Sequence, residues 1–95
     1  MSLREAFASG KFVVTAEVGP PKGIDIAETL ADADLLGPHV AAINVTDQQS
    51  AVMRIGSLAF CSLLKQRGIE PIIQMTCRDR NRIALQSDLL SAAIL

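Results

Sequence analysis

Three polar residues recur at a nearly constant spacing, each directly after a run of apolar residues. Thr46 follows Glu17 by 29 positions, and Thr76 follows Thr46 by 30. A strand-plus-helix unit has about this length, roughly 30 residues, so these residues are predicted to end successive parallel strands. The carboxyl ends of parallel strands lie at one edge of a sheet, where α/β proteins build their active sites. The spacing therefore predicts one site formed from several strand ends.

Glu17 is the first candidate for chemistry at that edge. A carboxyl group placed after an apolar strand suits a general acid or base. The alternative is a carboxylate that pairs with a nearby lysine or arginine. The Pro20–Pro21 pair stiffens the loop that follows, because proline fixes the backbone angle φ, and this favours a positioned group.

Two further polar stretches follow the second and third apolar runs. Residues 44–49 offer amide, hydroxyl and carboxylate groups, which suit either a polar ligand or the entry to a helix, with Ser50 as its predicted N-cap. Residues 74–82 contain three arginines, for which anion binding and surface ion pairs with Asp79 are both open. Gln74 interrupts an apolar strand, and since a buried amide needs hydrogen-bond partners, a ligand is a candidate partner.

The histidine and the two cysteines show no pattern that indicates catalysis. His39 precedes the second strand, so it is predicted to lie at the opposite edge of the sheet as a surface or structural residue. Cys61 falls within an apolar helix and is predicted to pack there. Cys77 has no histidine partner that would indicate a nucleophile. No metal-ligand spacing is present, and no metal site is predicted.

The elements that must position these residues have the pattern of βα units. Short runs rich in Val and Ile predict strands buried on both faces of a parallel sheet, near residues 12–17, 40–46 and 71–76. A helical pattern follows each run. The predicted fold class is α/β, with three consecutive βα units of a (β/α)₈ TIM barrel, about three-eighths of the whole. A doubly wound sheet is the alternative, but no Gly-x-Gly-x-x-Gly follows the first strand.

Composition narrows the class of protein. The chain has 95 residues, of which 49% are hydrophobic and 20% charged, and its net charge is −1. These values exclude a disordered segment and a broad basic surface for nucleic acid. No apolar run reaches the roughly 18 residues of a membrane span, no signal peptide is evident, and two cysteines make no disulfide framework. A globular, cytoplasmic protein is predicted.

The apolar content is high for so short a chain, because small domains have little interior. The third helical pattern also reaches Leu95 without a stop signal. Residues 1–95 are therefore predicted to be the N-terminal part of a truncated barrel. We expect the surplus apolar surface to be covered by the remainder of the barrel or by other copies in an oligomer.

The chain resembles the N-terminal part of the methylenetetrahydrofolate reductase family. The resemblance is carried by the segments FVVTAEVGPPKG, NVTDQQSAVMR and QMTCRDRNRIALQSDLL, at residues 12–23, 44–54 and 74–90. It implies a flavin-dependent barrel that reduces 5,10-methylenetetrahydrofolate to 5-methyltetrahydrofolate, with FAD passing the hydride from NADH or NADPH. The folate substrate and the nicotinamide nucleotide are the implied small-molecule partners.

The resemblance also implies roles for single residues. Glu17 matches the family's proposed proton donor to the folate, and Thr46 matches a threonine near the flavin and the nicotinamide. Asp47 and Gln49 fall at FAD-contacting positions, although their side chains differ from those of the best-known members. Gln74 takes a flavin-contacting position that is often histidine in the family. A glutamine there can form hydrogen bonds but cannot perform the chemistry of an imidazole.

Two hypotheses of different classes follow. The first is a segment of a flavin-dependent reductase that is inactive and binds no flavin by itself, since the family's acidic motif after the fourth strand would lie beyond Leu95. The second is a non-catalytic βα fragment that folds only with a partner.

Overall fold

The computed structural model describes residues 1–95, which form four α-helices and a three-stranded parallel sheet in the sequential order β1-β2-β3. The strands are β1 (Thr15–Val18), β2 (Ala42–Val45) and β3 (Pro71–Ile73). The helices are α1 (Leu3–Ala8), α2 (Ala27–Leu36), α3 (Ser57–Gln66) and α4 (Arg82–Ile94). The predicted succession of parallel βα units is thereby confirmed. No helix has the length and apolar character needed to cross a membrane.

The strands are shorter than the apolar runs that predicted them. Phe12 and Val14 are exposed and precede β1, although Val14 O still accepts a hydrogen bond from Ala41 N at 2.8 Å. Gln74 N still donates to Val45 O at 3.3 Å, but the chain leaves the sheet there. The predicted bounds of 40–46 and 71–76 were therefore too wide, and those of 12–17 began too early and left out Val18, because apolar content does not show where backbone pairing starts and stops.

One face of the sheet carries the hydrophobic core. Val18, Ile43 and Val45 belong to a buried cluster that also contains Ala33 of α2 and Phe60 of α3. Since one cluster holds side chains from both helices, α2 and α3 pack on the same face of the sheet. Strand residues alternate between the two faces, so the opposite face is left to the polar residues described below. A doubly wound sheet would instead have helices on both faces.

Helix α4 lies on the same side of the sheet as α3, but it is less buried. Ala92 of α4 and Leu58 of α3 line one cavity of about 870 Å³, together with Ile73 of β3. No residue of α4 is buried. The large apolar side chains of α4 that remain exposed are Ile83, Leu89, Leu90 and Ile94.

Local signals account for several of the helix ends. Asn81 Oδ1 accepts from Ala84 N at 2.8 Å and caps α4, and Gly68 ends α3 with a φ of +77°, a conformation that glycine adopts without steric cost. Ser2 and Glu5 form a capping box at α1, a helix that the sequence analysis did not predict.

The expected entry of the second long helix at Ser50 was wrong. Ser50 lies in a left-handed conformation, and α3 begins at Ser57 instead.

Candidate functional site

The polar face of the sheet is centred on Glu17. Glu17 of β1 is in register with Asn44 of β2, which is in register with Ile72 of β3. Residues in register on adjacent strands point to the same face, so Glu17 and Asn44 lie on the face opposite the core. Glu17 is exposed and Asn44 is half-buried. The candidate acid or base is thus open to a ligand on this face.

Gln74 contacts Glu17 although β2 lies between their strands. Gln74 Nε2 donates a hydrogen bond to Glu17 Oε1 at 3.3 Å. Gln74 is the residue directly after β3, and Glu17 is the third residue of β1. No lysine or arginine pairs with Glu17 in the structure. The contact therefore joins a carboxyl group to an uncharged amide, an arrangement suited to orienting the carboxyl group.

Asn44 is fixed beside Glu17 by two hydrogen bonds to β1. Its Nδ2 donates to Ala16 O at 3.2 Å and to Thr15 Oγ1 at 3.3 Å. Both hydrogen bonds from Nδ2 go to β1, and Oδ1 has no hydrogen-bond partner within the chain. Asn44 thus presents an acceptor on the polar face.

Thr46, Gln49 and Gly19 form a small cradle after β1 and β2. A Cβ atom at Gly19 would lie 3.4 Å from Thr46 Oγ1 and 3.8 Å from Gln49 Oε1. Thr46 Oγ1 is buried without a hydrogen-bond partner. Buried hydroxyls are ordinarily hydrogen-bonded, so this orphaned group and the neighbouring amide are candidates for contact with a polar ligand.

Asp47 is occupied by partners from the loop after β3. Its buried carboxylate accepts from both Nη atoms of Arg80, with Nη2 2.9 Å from Oδ1, and from Thr76 N at 2.7 Å. Burial alone would raise the pKa of Asp47, but the hydrogen bonds from Arg80 and Thr76 outweigh it, and the pKa lies below its ordinary value. Arg80 also donates to Asp88 of α4 at 3.1 Å.

The loop between β2 and α3 has an unusual backbone. Gln48, Ser50 and Ala51 all have positive φ angles, between 49° and 61°, which are uncommon for residues other than glycine. Gln48 Oε1 accepts from Arg54 N at 2.7 Å, and Gln48 O accepts from Arg78 Nη2 at 2.9 Å. These contacts hold Gln49, which is exposed, beside the cradle.

The three strand-end loops are tied to one another. Arg54 Nη1 donates to Pro20 O at 3.2 Å, and Ile55 N donates to Pro21 O at 2.9 Å. These contacts join the loop after β2 to the loop after β1, while Asp47 and Arg80 join it to the loop after β3. The site is therefore carried on loops that share side-chain hydrogen bonds.

The other reactive residue types lie away from this face. His39 is exposed in a 3₁₀ turn before β2, at the amino end of the sheet. Cys61 is buried in the core, and burial raises the pKa of its thiol to about 11. Cys77 is exposed in the loop after β3, but no hydrogen bond connects it to Glu17 or Gln74.

Comparison with known proteins decides the family. A sequence profile for methylenetetrahydrofolate reductase matches residues 2–94, almost the entire chain. The chain belongs to the methylenetetrahydrofolate reductase family. The resemblance found in the sequence is thus confirmed. No curated protein and no solved structure matches the chain.

Membership of the methylenetetrahydrofolate reductase family gives the general class of the protein. The family comprises oxidoreductases and is generally flavin-dependent. Within this family member, Glu17, Thr46, Gln49 and Gln74 lie on or beside the polar face, whereas Asp47 is turned into a buried ion pair.

Sequence analysis of this family member missed one buried polar residue. Ser57 Oγ donates to Gln74 O at 2.6 Å, and Ser57 is fully buried. A serine directly after Gly56 at a helix start has the sequence pattern of a capping residue. Nothing in that pattern indicates a partner 17 residues further along the chain.

Proposed function

We propose that this chain supplies the first three βα units of a flavin-dependent (β/α)₈-barrel reductase that converts 5,10-methylenetetrahydrofolate to 5-methyltetrahydrofolate with NADH or NADPH. The observation that carries the proposal is the contact between Gln74 and Glu17 on the open polar face of a sequentially ordered parallel sheet. The family match supports the class of reaction. The side on which α2 and α3 pack supports a barrel, whose helices all lie outside the sheet.

Glu17 is proposed as the residue that delivers a proton to the folate. Opening of the methylene bridge to an iminium leaves a nitrogen that must be protonated, and a carboxylic acid beside that nitrogen assists the opening. Gln74 limits the orientations of the Glu17 carboxyl group by donating to Oε1, and Oε2 has no hydrogen-bond partner within the chain. A carboxyl group on a strand is also better positioned than one on a loop.

The cradle residues fit the polar edge of a flavin. Thr46 Oγ1 can donate or accept a hydrogen bond, Gln49 offers an amide, and Gly19 has no side chain to obstruct an approach. A bound FAD would accept hydride from the nicotinamide and pass it to the folate. In this proposal Thr46 and Gln49 would bind and orient the flavin, and the Gln74 amide would offer it a further hydrogen bond.

Asp47 does not fit a direct flavin contact. Its carboxylate already accepts hydrogen bonds from Arg80 and from Thr76 N, and its side chain has no exposed surface. A contact with FAD would require Asp47 to lose these partners and would leave Arg80 with Asp88 alone. We assign Asp47 to holding the loops together.

The remainder of a barrel is the proposed partner of the apolar surface on α4. Leu90 and Ile94 are 72% and 86% exposed, and β1 and β3 each leave one edge of the sheet unpaired. Unpaired edges promote association with further strands. The same observation also favours the second candidate, a non-catalytic fragment that folds only with a partner. An experiment must therefore distinguish the reductase segment from the non-catalytic fragment.

The decisive experiment replaces the first three βα units of an active family reductase with residues 1–95. We expect a yellow fusion protein in which NADH or NADPH reduces the flavin and the reduced flavin reduces the folate. The matched control carries the corresponding segment of a second active reductase. A fusion that folds without flavin or turnover, beside an active control, supports the non-catalytic fragment.

The isolated chain provides a second measurement. Several hydrogen bonds to FAD would be missing, each worth about 1–3 kcal/mol, so we expect the 95-residue chain to be colourless and inactive. Titration with FAD, followed by flavin fluorescence, should show no saturable binding. Micromolar binding by a monomer would make this segment an autonomous flavin-binding unit.

A further inference from the structure

The segment directly after β3 is held by two side chains that do not face the open site. Ser57 Oγ donates to Gln74 O at 2.6 Å, and Asp47 Oδ2 accepts from Thr76 N at 2.7 Å. Both side chains are buried. Gln74 N adds one backbone bond, to Val45 O at 3.3 Å. Residues 74–76 therefore leave the sheet along a path that these contacts determine.

That path decides where the Gln74 side chain lies. A residue that follows the last paired residue of a strand is free to change its backbone angles, because no further ladder hydrogen bonds restrain it. The Ser57 and Asp47 contacts supply the missing restraint on both sides of Met75. The only hydrogen bond that the Gln74 side chain makes is with Glu17, at 3.3 Å, which is long for an N–H···O bond and hence sensitive to small backbone shifts.

We infer that Ser57, assisted by Asp47, is a positioning residue that sets the contact between Gln74 and Glu17. Ser57 does not reach the open face, so it acts through the Gln74 carbonyl. The inference rests on the proposed function for its relevance to proton delivery. Its geometric content concerns only the placement of Gln74.

The structure also indicates why serine suits this position. Ser57 is the first residue of α3, follows Gly56 and has no exposed surface. A hydroxyl donor there meets the partly buried Gln74 carbonyl, which would otherwise lack this donor, an unfavourable state for an acceptor shielded from water. Alanine would remove only the oxygen atom.

The test follows the side-chain amide signals of Gln74 by NMR in the 95-residue chain labelled with ¹⁵N-glutamine. Glu17→Ala, which has no side-chain acceptor, gives the reference positions of those signals when the contact with Glu17 is lost. In Ser57→Ala, and to a smaller extent in Asp47→Asn, we expect the Gln74 signals to move toward these reference positions. Ser62→Ala, a serine change on the same helix, is the matched control and should leave them unchanged.

Backbone amide spectra of β1 and β2 show whether each variant keeps the fold. Unchanged Gln74 signals in a folded Ser57→Ala variant would overturn the inference, because the sheet alone would then position Gln74. If Ser57→Ala does not fold, Asp47→Asn provides the same measurement. Loss of folding in both variants would assign the two side chains to stability alone and would also overturn the inference.

The fused barrel provides a second test, in which the proposed reductase function and the positioning role of Ser57 predict different outcomes. If the fusion turns over folate, Ser57→Ala is expected to lower the rate of folate reduction and to leave flavin reduction by the nicotinamide unchanged. An inactive fusion with a shifted Gln74 signal in Ser57→Ala would contradict the proposed function and retain the positioning role. An active fusion that Ser57→Ala leaves unaltered in both half-reactions would contradict the positioning role alone.

Discussion

Gln74 Nε2 lies 3.3 Å from Glu17 Oε1, although the two residues are 57 positions apart in the sequence. The contact passes over β2 and joins the first strand to the segment that follows the third. It brings the Glu17 carboxylate together with an amide that can donate one hydrogen bond and accept another. A glutamine can thus remain a partner of Glu17 in both protonation states, by donating to the carboxylate or accepting from the carboxylic acid.

The first prediction concerns Glu17 in the fused barrel. Glu17→Gln should slow folate reduction at least about 100-fold, the lower end of the contribution of general acid catalysis. Flavin reduction by the nicotinamide involves no protonation of folate and should be almost unchanged. Stopped-flow absorbance of the flavin measures the two half-reactions separately. Equal slowing of both half-reactions would contradict the role of Glu17 in proton delivery. The matched control is His39→Ala, at the opposite edge of the sheet.

The second prediction concerns acid stability. The pKa of Asp47 is lowered in the folded chain, so its ionised form stabilises the fold at pH values above about 4, the ordinary pKa of an aspartate. This contribution is lost as the pH falls through the lowered folded value, because protonation ends the pairing with Arg80. The free energy of unfolding, measured by urea denaturation at several pH values, should fall steeply in that range.

Substitution separates Asp47 from the other acidic groups. Asp47→Asn should lower the free energy of unfolding by about 3 kcal/mol at neutral pH, since it leaves a buried arginine without its main partner. Asp47→Asn should also make the free energy of unfolding depend less on pH in the acid range. Asp79→Asn removes an exposed pair with Arg78 and should have little effect, because solvent screens such pairs. Equal effects of the two substitutions would contradict the importance of burial.

The third prediction concerns the end of α3. Gly68 has a φ of +77°, and a side chain in this conformation costs about 1–2 kcal/mol. Gly68→Ala should therefore lower the free energy of unfolding by about 1 kcal/mol. Gly23→Ala is the control, because Gly23 has space for a Cβ atom and no positive φ, and it should be neutral or slightly stabilising. A neutral Gly68→Ala would show that the end of α3 is not held in this conformation.

The fourth prediction concerns the two cysteines. Cys77 is exposed, whereas Cys61 is buried with a pKa raised to about 11. A thiol reagent reacts with thiolates, so at pH 8 one thiol should react rapidly and the second only when the chain unfolds. Cys77→Ser should abolish the rapid phase. A rapid reaction of Cys61 in the folded chain would show that α3 is not packed on the sheet.

Much of the fold could be predicted from local patterns. The runs around Val14, Ile43 and Ile72 indicated parallel strands, and the structure confirms the strands. The expectation that both faces of the sheet are buried was wrong, because the face that carries Glu17 is open. Gly68 and Asn81 have residue types that favour helix ends, through conformational and capping preferences that act over a few residues. The family was also recognisable, since the order of polar residues in the segment 74–90 is specific.

Local patterns could not show where the strands end or which polar groups are already paired. Asp47 has the residue type of a ligand-binding group, but its partner Arg80 lies 33 positions away. Ser57 is the first residue of α3, but its hydroxyl donates to Gln74, 17 positions away.

The sequence by itself therefore determined the order of the three βα units, although not helix α1 before them, and the edge of the sheet that carries the polar residues. Only the tertiary structure decided which of those residues are open to a ligand and which hold the loops. The physical reason is that a hydrogen bond depends on distances of about 3 Å between groups. Such distances between residues far apart in the chain are set by packing of the whole sheet and not by spacing along the sequence.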